Sequence, residues 1–517
     1  MYDLILTNGI IIDGTDSTRF RGSVAVRDDK LVEVGDLEER EAKNTIDVQG
    51  KVICPGFIDI HAHDDYRIFR HPTEKIRQGV TTTISGNCGF SPFPVSKKYS
   101  REFENSGYNF GQKVQRNWND ARGYFQEVSK KGLSLNFASQ VGHGTIRLAV
   151  MGYENRPPTR EEITEMKNLL DSSLEGGAIG LSSNPMEAPG CYGDLDELIE
   201  LCEILGEEDK YYSSHMRNYA EDLLNSLDEQ LKIGGEADIP IQIAHMGISK
   251  EENRDKLDRA LKKIDRARES SLDVTFDAYP YRAGNAYLTQ FLPQDLQTGG
   301  KEKLIERLSR QRKREEIRKE FAEKGSIDWE NVVVNSVRTD ENEGLIGLSL
   351  DEISEKRKTS PFDVLCDLIV EEEGLVTAIS FGKPEGVMEK VFRHPAQMVM
   401  TDGLYMEKGR SHPRLFNTYP KVFGELVRER SLLSLEKAIW KCSGFPAQKL
   451  GLSNRGTLKE GNYADLVVFD PQKIDSTGTY NNPKGTIRGI EYVFINGDMV
   501  SEKGNYLKKL VGKLVLG

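Results

Sequence analysis

His61-Ala62-His63 closes the run Phe57-Ile58-Asp59-Ile60, and Cys88 follows 25 residues after His63 within Gly86-Asn87-Cys88-Gly89. Side chains alternate along a strand, so His61 and His63 face the same way and can chelate one ion without ordering a loop. Three more residues of ligand type end apolar runs: His215 in Ser213-Ser214-His215-Met216-Arg217, His245 in Ile241-Gln242-Ile243-Ala244-His245, and Asp402 in Met398-Val399-Met400-Thr401-Asp402. The chain has only 8 histidines, and four of them hold these places. Thiolate and imidazole together favour zinc over hard cations. Cys88, His215 and His245 compose a closed, tight site; His61, His63 and Asp402 compose a second, weaker one. Such a centre makes amide hydrolysis accessible without a protein nucleophile. Asp402 is then the catalytic base, taking a proton from water and later passing it to the leaving amine.

The elements needed to bring these residues together are β-type runs alternating with helical patterns, which specify an α/β fold with a parallel sheet. The runs lie near Phe57–His63, Thr81–Ser85, Leu135–Val141, Ala178–Ser183, Tyr211–Met216, Ile239–His245, Leu272–Tyr279 and Gln397–Asp402. Eight such runs predict a (β/α)8 TIM barrel, in which groups that do chemistry collect at the C-terminal ends of the strands. A further run, Thr377–Phe381, leaves the count ambiguous by one. Short β runs with Asn-Gly and Asp-Gly turns at both ends of the chain predict one small β-sandwich built from both termini. The expected boundaries are 1–54 and 431–517 for the sandwich and closing helix, and 55–430 for the barrel. A charged helical pattern from Lys301 to Lys324, with Trp329 to Val337, marks a subdomain inserted at about 286–350, before the last barrel strand.

Composition narrows the class. The 70 Lys+Arg against 82 Asp+Glu give a net charge of −12 without basic blocks, which argues against nucleic acid or an anionic membrane as partner. No apolar run approaches the ~20 residues of a membrane span. The segment Met1-Tyr2-Asp3-Leu4-Ile5 lacks the basic region of a signal peptide. Six cysteines at irregular spacing fit a reduced, cytoplasmic protein in which a thiol is available to a metal. Homo-oligomerisation is left open.

The order HxH, His, His, Asp resembles the amidohydrolase superfamily. Within it, further blocks are similar to the N-acyl-D-amino-acid deacylases, or D-aminoacylases: Pro55-Gly56-Phe57-Ile58-Asp59, Gln78-Gly79-Val80-Thr81-Thr82, Val141-Gly142-His143-Gly144-Thr145, Ser214-His215-Met216-Arg217-Asn218, Asp277-Ala278-Tyr279-Pro280-Tyr281, His412-Pro413-Arg414 and Ala464-Asp465-Leu466-Val467-Val468. The blocks are collinear over nearly the whole chain. The resemblance implies Zn2+, one ion tight and a second weaker, with Cys88 where many relatives carry a bridging carboxylated lysine. It implies cleavage of an N-acyl amino acid, of D configuration, to a carboxylate and a free amino acid. A cyclic amide, as in dihydropyrimidinase- or dihydroorotase-like enzymes, and short D- or iso-peptides are the alternative substrates; a non-catalytic binding scaffold is the third reading.

Departures from the family pattern concern the substrate. Two residues after the strand-six histidine the family usually carries a lysine for the substrate α-carboxylate; here the position is Gly247, with Lys250 three residues on. Lys250, Arg282, Arg410 and Arg414 are the cations available to replace it, because ammonium and guanidinium groups both bind carboxylate. Tyr279 is kept. Tyr192 is followed by Gly193 and Leu195 in place of the usual small residues, and Asn285 and Ala286 replace small hydroxyl residues, which alters the pocket. His143 either touches substrate or fixes its loop. Asp64 and Asp65 are expected to orient His61 or His63. Cys191 reads as pocket wall, His71 and His394 as loop structure, and Cys54, Cys202, Cys366 and Cys442 as core.

Overall fold

The structure, a computed structural model, describes residues 1–37, 40–107, 112, 114–323 and 327–517. The middle of the chain carries eight parallel strands: β1 (Phe57–Asp59), β2 (Val80–Ser85), β3 (Asn136–Ser139, resumed at Val141–Gly142), β4 (Gly180–Ser183), β5 (Tyr211–Ser214), β6 (Ile241–Ile243), β7 (Val274–Ala278) and β8 (Gln397–Val399). β1, β2 and β3 pair in that order, and β3 to β8 pair in chain order. The Asp402 amide donates to the His61 carbonyl at 2.9 Å, tying the chain after β8 to the chain after β1. Every residue of β2 and of β7 is buried. Strands covered on both faces lack a polar outer face, so their Thr, Ser and Asp side chains are buried along with the apolar ones.

Helices separate the strands. Arg160–Glu175 is opened by a capping box in which Thr159 and Glu162 satisfy each other's backbone amides, and it buries Ile163, Met166, Leu170 and Leu174 at helical spacing. Below the strand ends, the fully buried Lys75 ammonium bonds Asp59 of β1 and donates to Thr401 Oγ1 at 2.6 Å, with Asp64 Oδ2 3.6 Å away.

The run at Thr377–Phe381 does not join the parallel set. Thr377–Ser380 pairs antiparallel with both Gly284–Tyr287 and Val332–Ser336 in a separate three-stranded sheet. With helices Gly300–Leu308, Gln311–Glu323, Leu350–Arg357 and Pro361–Glu371, this sheet surrounds its own core from Leu288 to Ala378. The inserted unit therefore reaches well past the expected end near residue 350, because its last strand closes the same sheet as its first. Lys324 lies outside the described residues.

The two ends of the chain meet in one mixed sheet of nine strands. Val52–Pro55 pairs antiparallel with Leu466–Phe469, and Leu4, Val24 and Ile53 share a core with Leu466, Val468 and Phe494. The expected sandwich thus appears as a single hydrogen-bonded sheet, since Val52–Pro55 bridges the N-terminal strands to the C-terminal ones. Residues 512–515 leave this sheet and pair with the backbone at Leu133 and Phe137, beside β3.

Candidate metal centre

The ligand-type residues lie one to four positions beyond their strands: His61 and His63 after β1, Cys88 after β2, His215 after β5, His245 after β6 and Asp402 after β8. Cys88, His245 and Asp402 have φ of 52°, 35° and 48°, left-handed values uncommon for residues with a side chain. Such conformations persist where surrounding structure imposes them, and they gather at functional sites. The loop before Cys88 needs a glycine: Gly86 has φ 71°, and a Cβ there would come within 2.1 Å of the Gln140 carbonyl oxygen.

The side chains converge. Cys88 Sγ is 3.3 Å from His61 Nε2 and 3.8 Å from His245 Nε2. Asp402 Oδ1 is 3.2 Å from His63 Nε2 and 3.8 Å from His61 Nε2. The His215 and His245 ring centroids are 4.5 Å apart. Two sets have donor atoms mutually within 4.8 Å: His61, His63 and Cys88, and His61, His245 and Asp402. His61 belongs to both and His215 to neither, so by distance alone the six residues do not divide into the two triads expected from the sequence. The reason is topological. β1 pairs with β2, and the Asp402 amide bonds the His61 carbonyl, which puts His61 between Cys88 and Asp402.

Asp277 at the end of β7 orients the cluster, a role that the sequence suggested for Asp64 and Asp65. Its Oδ2 accepts from His61 Nδ1 at 3.2 Å and from Gln242 Nε2 at 2.6 Å, and its Oδ1 accepts from the His245 amide. The bond at Nδ1 leaves His61 Nε2 facing the cluster. Asp64 instead accepts from Thr83 and sits by Lys75, while Asp65 accepts from the Gly86 amide. A buried carboxylate in the strand Val274–Ala278 was the available signal, since an unpaired charge there would be costly. His215 Nδ1 donates to the Met216 carbonyl at 2.8 Å.

Charges divide the residues along another line. Burial pushes His215 down to about 4, and burial with the neighbouring His215 pushes His245 well below the ordinary imidazole range. Both are neutral at pH 7, with a lone pair to give. Burial opposes ionisation of Cys88, but His61 and His63 outweigh it and lower the thiol. Burial likewise opposes the charged forms of His61 and His63, yet Asp277 and Cys88 carry His61 well above its ordinary value, and Asp402 and Cys88 raise His63 to about 9. Burial also disfavours the Asp402 carboxylate; Arg414, whose Nη2 is 2.9 Å from Oδ2, and His63 overcome it and hold Asp402 well below the usual range. A buried group of thiolate and neutral imidazoles fits Zn2+.

Beside His245 opens a recess lined by Tyr279, Tyr281, Arg282 and Lys383 among others. Of the residues expected at substrate, Tyr279 and Arg282 line it, and Arg414 packs its guanidinium 4.4 Å from the Tyr279 ring centroid while bonding Asp402. Lys250 is not there: its Nζ pairs with Glu221 at 2.7 Å on the exposed side of the loop. Arg410 reaches toward Asn481. Tyr192 donates its hydroxyl to the Gln294 carbonyl at 3.2 Å, joining the loop after β4 to the inserted unit. His143 is buried, with Nε2 2.7 Å from Glu197, so it braces its loop. Cys191 is buried and its thiol is pushed up to about 12, which leaves it a wall rather than a thiolate. Lys383, which nothing in the sequence spacing singled out, donates to the Tyr279 hydroxyl at 3.0 Å.

Residues 401–500 match the model of an amidohydrolase family. The chain is 32% identical to a D-aminoacylase of Alcaligenes xylosoxydans xylosoxydans over 99% of its own length and 97% of the relative's. A crystal structure of N-acyl-D-glutamate deacylase from Bordetella bronchiseptica, complexed with zinc and a phosphonate mimic of the tetrahedral intermediate, superposes with a TM-score of 0.85 at 28% identity, covering 100% of both chains. A D-aminoacylase structure addressing its binuclear metal centre, with one-metal activation and second-metal attenuation, gives a TM-score of 0.83 at 33% identity over 99% of both chains. The chain belongs to the D-aminoacylase family of metal-dependent amidohydrolases.

Proposed function

We propose that this chain is a zinc-dependent hydrolase of N-acyl-D-amino acids, small molecules that it cleaves to a carboxylate and a free D-amino acid. The observation that carries the reading is the convergence of Cys88, four histidines and an ionised Asp402 beside a cavity, in a chain similar throughout to deacylases of such substrates. Cys88, His215 and His245 hold the tighter ion, because they present a low-pKa thiol and two neutral imidazoles. His61, His63 and Asp402 form the weaker position, where His61 and His63 must each lose a favoured proton before they can bind. Bound zinc supplies Lewis-acid polarisation of the amide carbonyl and brings the pKa of water toward neutrality.

The protein groups do the rest. Asp402 accepts the proton of the attacking water and passes it to the leaving nitrogen, since a carboxylate kept ionised can do both in turn. Arg414 fixes the orientation of that carboxylate through Oδ2, and Asp277 fixes the ring of His61. Tyr279 forms the cavity wall nearest Arg414, with Arg282 at its rim.

For the fold, β1 to β8 read as a (β/α)8 barrel closed between β8 and β1, with the terminal sheet formed by 1–54 and part of 431–517 packed on a barrel of 55–430 that carries the inserted unit. A reducing, cytoplasmic setting suits a thiolate ligand. Among the described residues no helix is long and apolar enough to cross a membrane. The cyclic-amide and short-peptide alternatives rested on Gly247. The Cε of Lys383 lies 3.9 Å from where a side chain at 247 would begin, so that observation no longer favours them. A silent scaffold would have dropped ligands, and all six positions are filled. The test is an assay of N-acetyl and longer N-acyl D- and L-amino acids on zinc-loaded protein; absence of turnover with every D-substrate would refute the reading.

A further inference from the structure

Two cations face the same ring at the mouth of the site. Arg414 lies 4.4 Å and Lys383 Nζ 4.1 Å from the Tyr279 ring centroid. Arg414 is neutralised by Asp402. Lys383 is half-buried, donates to the Tyr279 hydroxyl, and forms no ion pair with a carboxylate among the described residues. An ammonium partly withdrawn from water, close to a second cation and lacking an anion, is a poor resting arrangement unless a ligand brings the anion.

The segment that presents Lys383 is held in place. It runs from the inserted unit's last strand, Thr377–Ser380, to the helix Val387–Arg393. The Lys250 amide donates to the Gly382 carbonyl at 2.9 Å, and Arg282 Nη2 donates to the Lys383 carbonyl at 3.4 Å. Lys250 and Arg282 thus support the loop that carries the lysine. The space Lys383 fills is the space above Gly247: a Cβ at 247 would meet nothing closer than the His245 carbonyl at 3.8 Å and Lys383 Cε at 3.9 Å.

We propose that Lys383 binds the α-carboxylate of the substrate, so that this chain selects N-acyl amino acids with a free carboxylate over their amides and esters. The assignment rests on the hydrolytic reading of the same site. It places the carboxylate beside Tyr279, on the His245 side of the cavity, and leaves the amide bond to reach toward Asp402.

The test compares the wild type, Lys383→Met and the double variant Lys383→Met/Gly247→Lys on an N-acetyl-D-amino acid and on its primary carboxamide. Loss of one charge-assisted contact is worth roughly 10- to 100-fold. Lys383→Met is expected to lower kcat/KM for the acid by about that factor, chiefly through KM, and to lower it much less for the carboxamide. Gly247→Lys is expected to restore part of the loss, since the backbone at 247 is outside the left-handed region and the new side chain has room. Equal loss on both substrates, or no loss on either, overturns the proposal. If Lys383→Met melts well below the wild type, Lys383→Gln replaces it. Should the wild type hydrolyse neither compound, the panel of N-acyl D-amino acids decides the hydrolytic reading separately. Calorimetric binding of the same two compounds then decides the role of Lys383: tighter binding of the acid, abolished in the variant, supports it, and equal binding refutes it.

Discussion

Arg414 Nη2 lies 2.9 Å from Asp402 Oδ2, while the other carboxylate oxygen faces His63 at 3.2 Å. Both groups are nearly inaccessible to water. The guanidinium therefore compensates a buried charge, and it sets which carboxylate edge is turned to the cluster.

Asp402→Asn keeps the shape and removes the proton acceptor. A positioned acid-base group contributes about 100- to 10,000-fold, so kcat is expected to fall by that range. The tightly held zinc is expected to remain by elemental analysis, because Cys88, His215 and His245 are intact.

Arg414→Met removes the cation that favours the Asp402 carboxylate. The Asp402 pKa then rises, the ionised base is lost at a higher pH on acidification, and the acid limb of the kcat/KM profile moves to higher pH. An acid limb unchanged between the two proteins would show that Asp402 is held ionised by other groups.

Cys88→Ser replaces a lowered-pKa thiol by a hydroxyl that does not ionise. Zinc retained after gentle purification is expected to drop below one ion per chain, with activity lost in parallel. Full zinc and full activity would contradict the ligand assignment.

Asp277→Asn leaves His61 Nδ1 with a weaker partner and withdraws a negative charge from the ring. Partners of this kind typically change metal affinity by about 10- to 100-fold. The weaker ion is expected to show the change in a titration against a competing chelator, with the tighter ion held as before.

Lys441, buried, donates to the carbonyls of His394 at 2.6 Å and Gln397 at 3.0 Å, next to β8. Burial lowers it to about 7 from an ordinary 10.5. Between those values the unfolded chain binds a proton that the folded chain does not, so stability rises with pH in that window, by at most about 1.4 kcal/mol per unit. Urea unfolding from pH 7 to 9 is expected to show that rise in the wild type and a flatter profile in Lys441→Met.

Much of this was visible in the residues themselves, for physical reasons. Val80–Ser85 is buried on both faces and is β-branched from Val80 to Ile84, and the ligand-type side chains stand at the turns that follow such strands. What escaped were relationships across long separations. Thr377–Phe381 carries the same local pattern as a parallel strand, and only its antiparallel partners at 284–287 and 332–336 set it apart. Lys383 comes to Tyr279 from 104 residues away, through a unit with its own core, and no spacing rule connects them. Lys250 is near Gly247 in sequence but turns outward to Glu221.

Lys75 meets neither metal nor substrate, yet it clasps Asp59 and Thr401, two residues ahead of His61 and one ahead of Asp402. The hydrolytic centre is thereby anchored from below, while the groups beside the cavity arrive on loops from above. A change of side chain at Lys383 can therefore alter what the cavity accepts while the Lys75 clasp keeps the segments of His61 and Asp402 where they are.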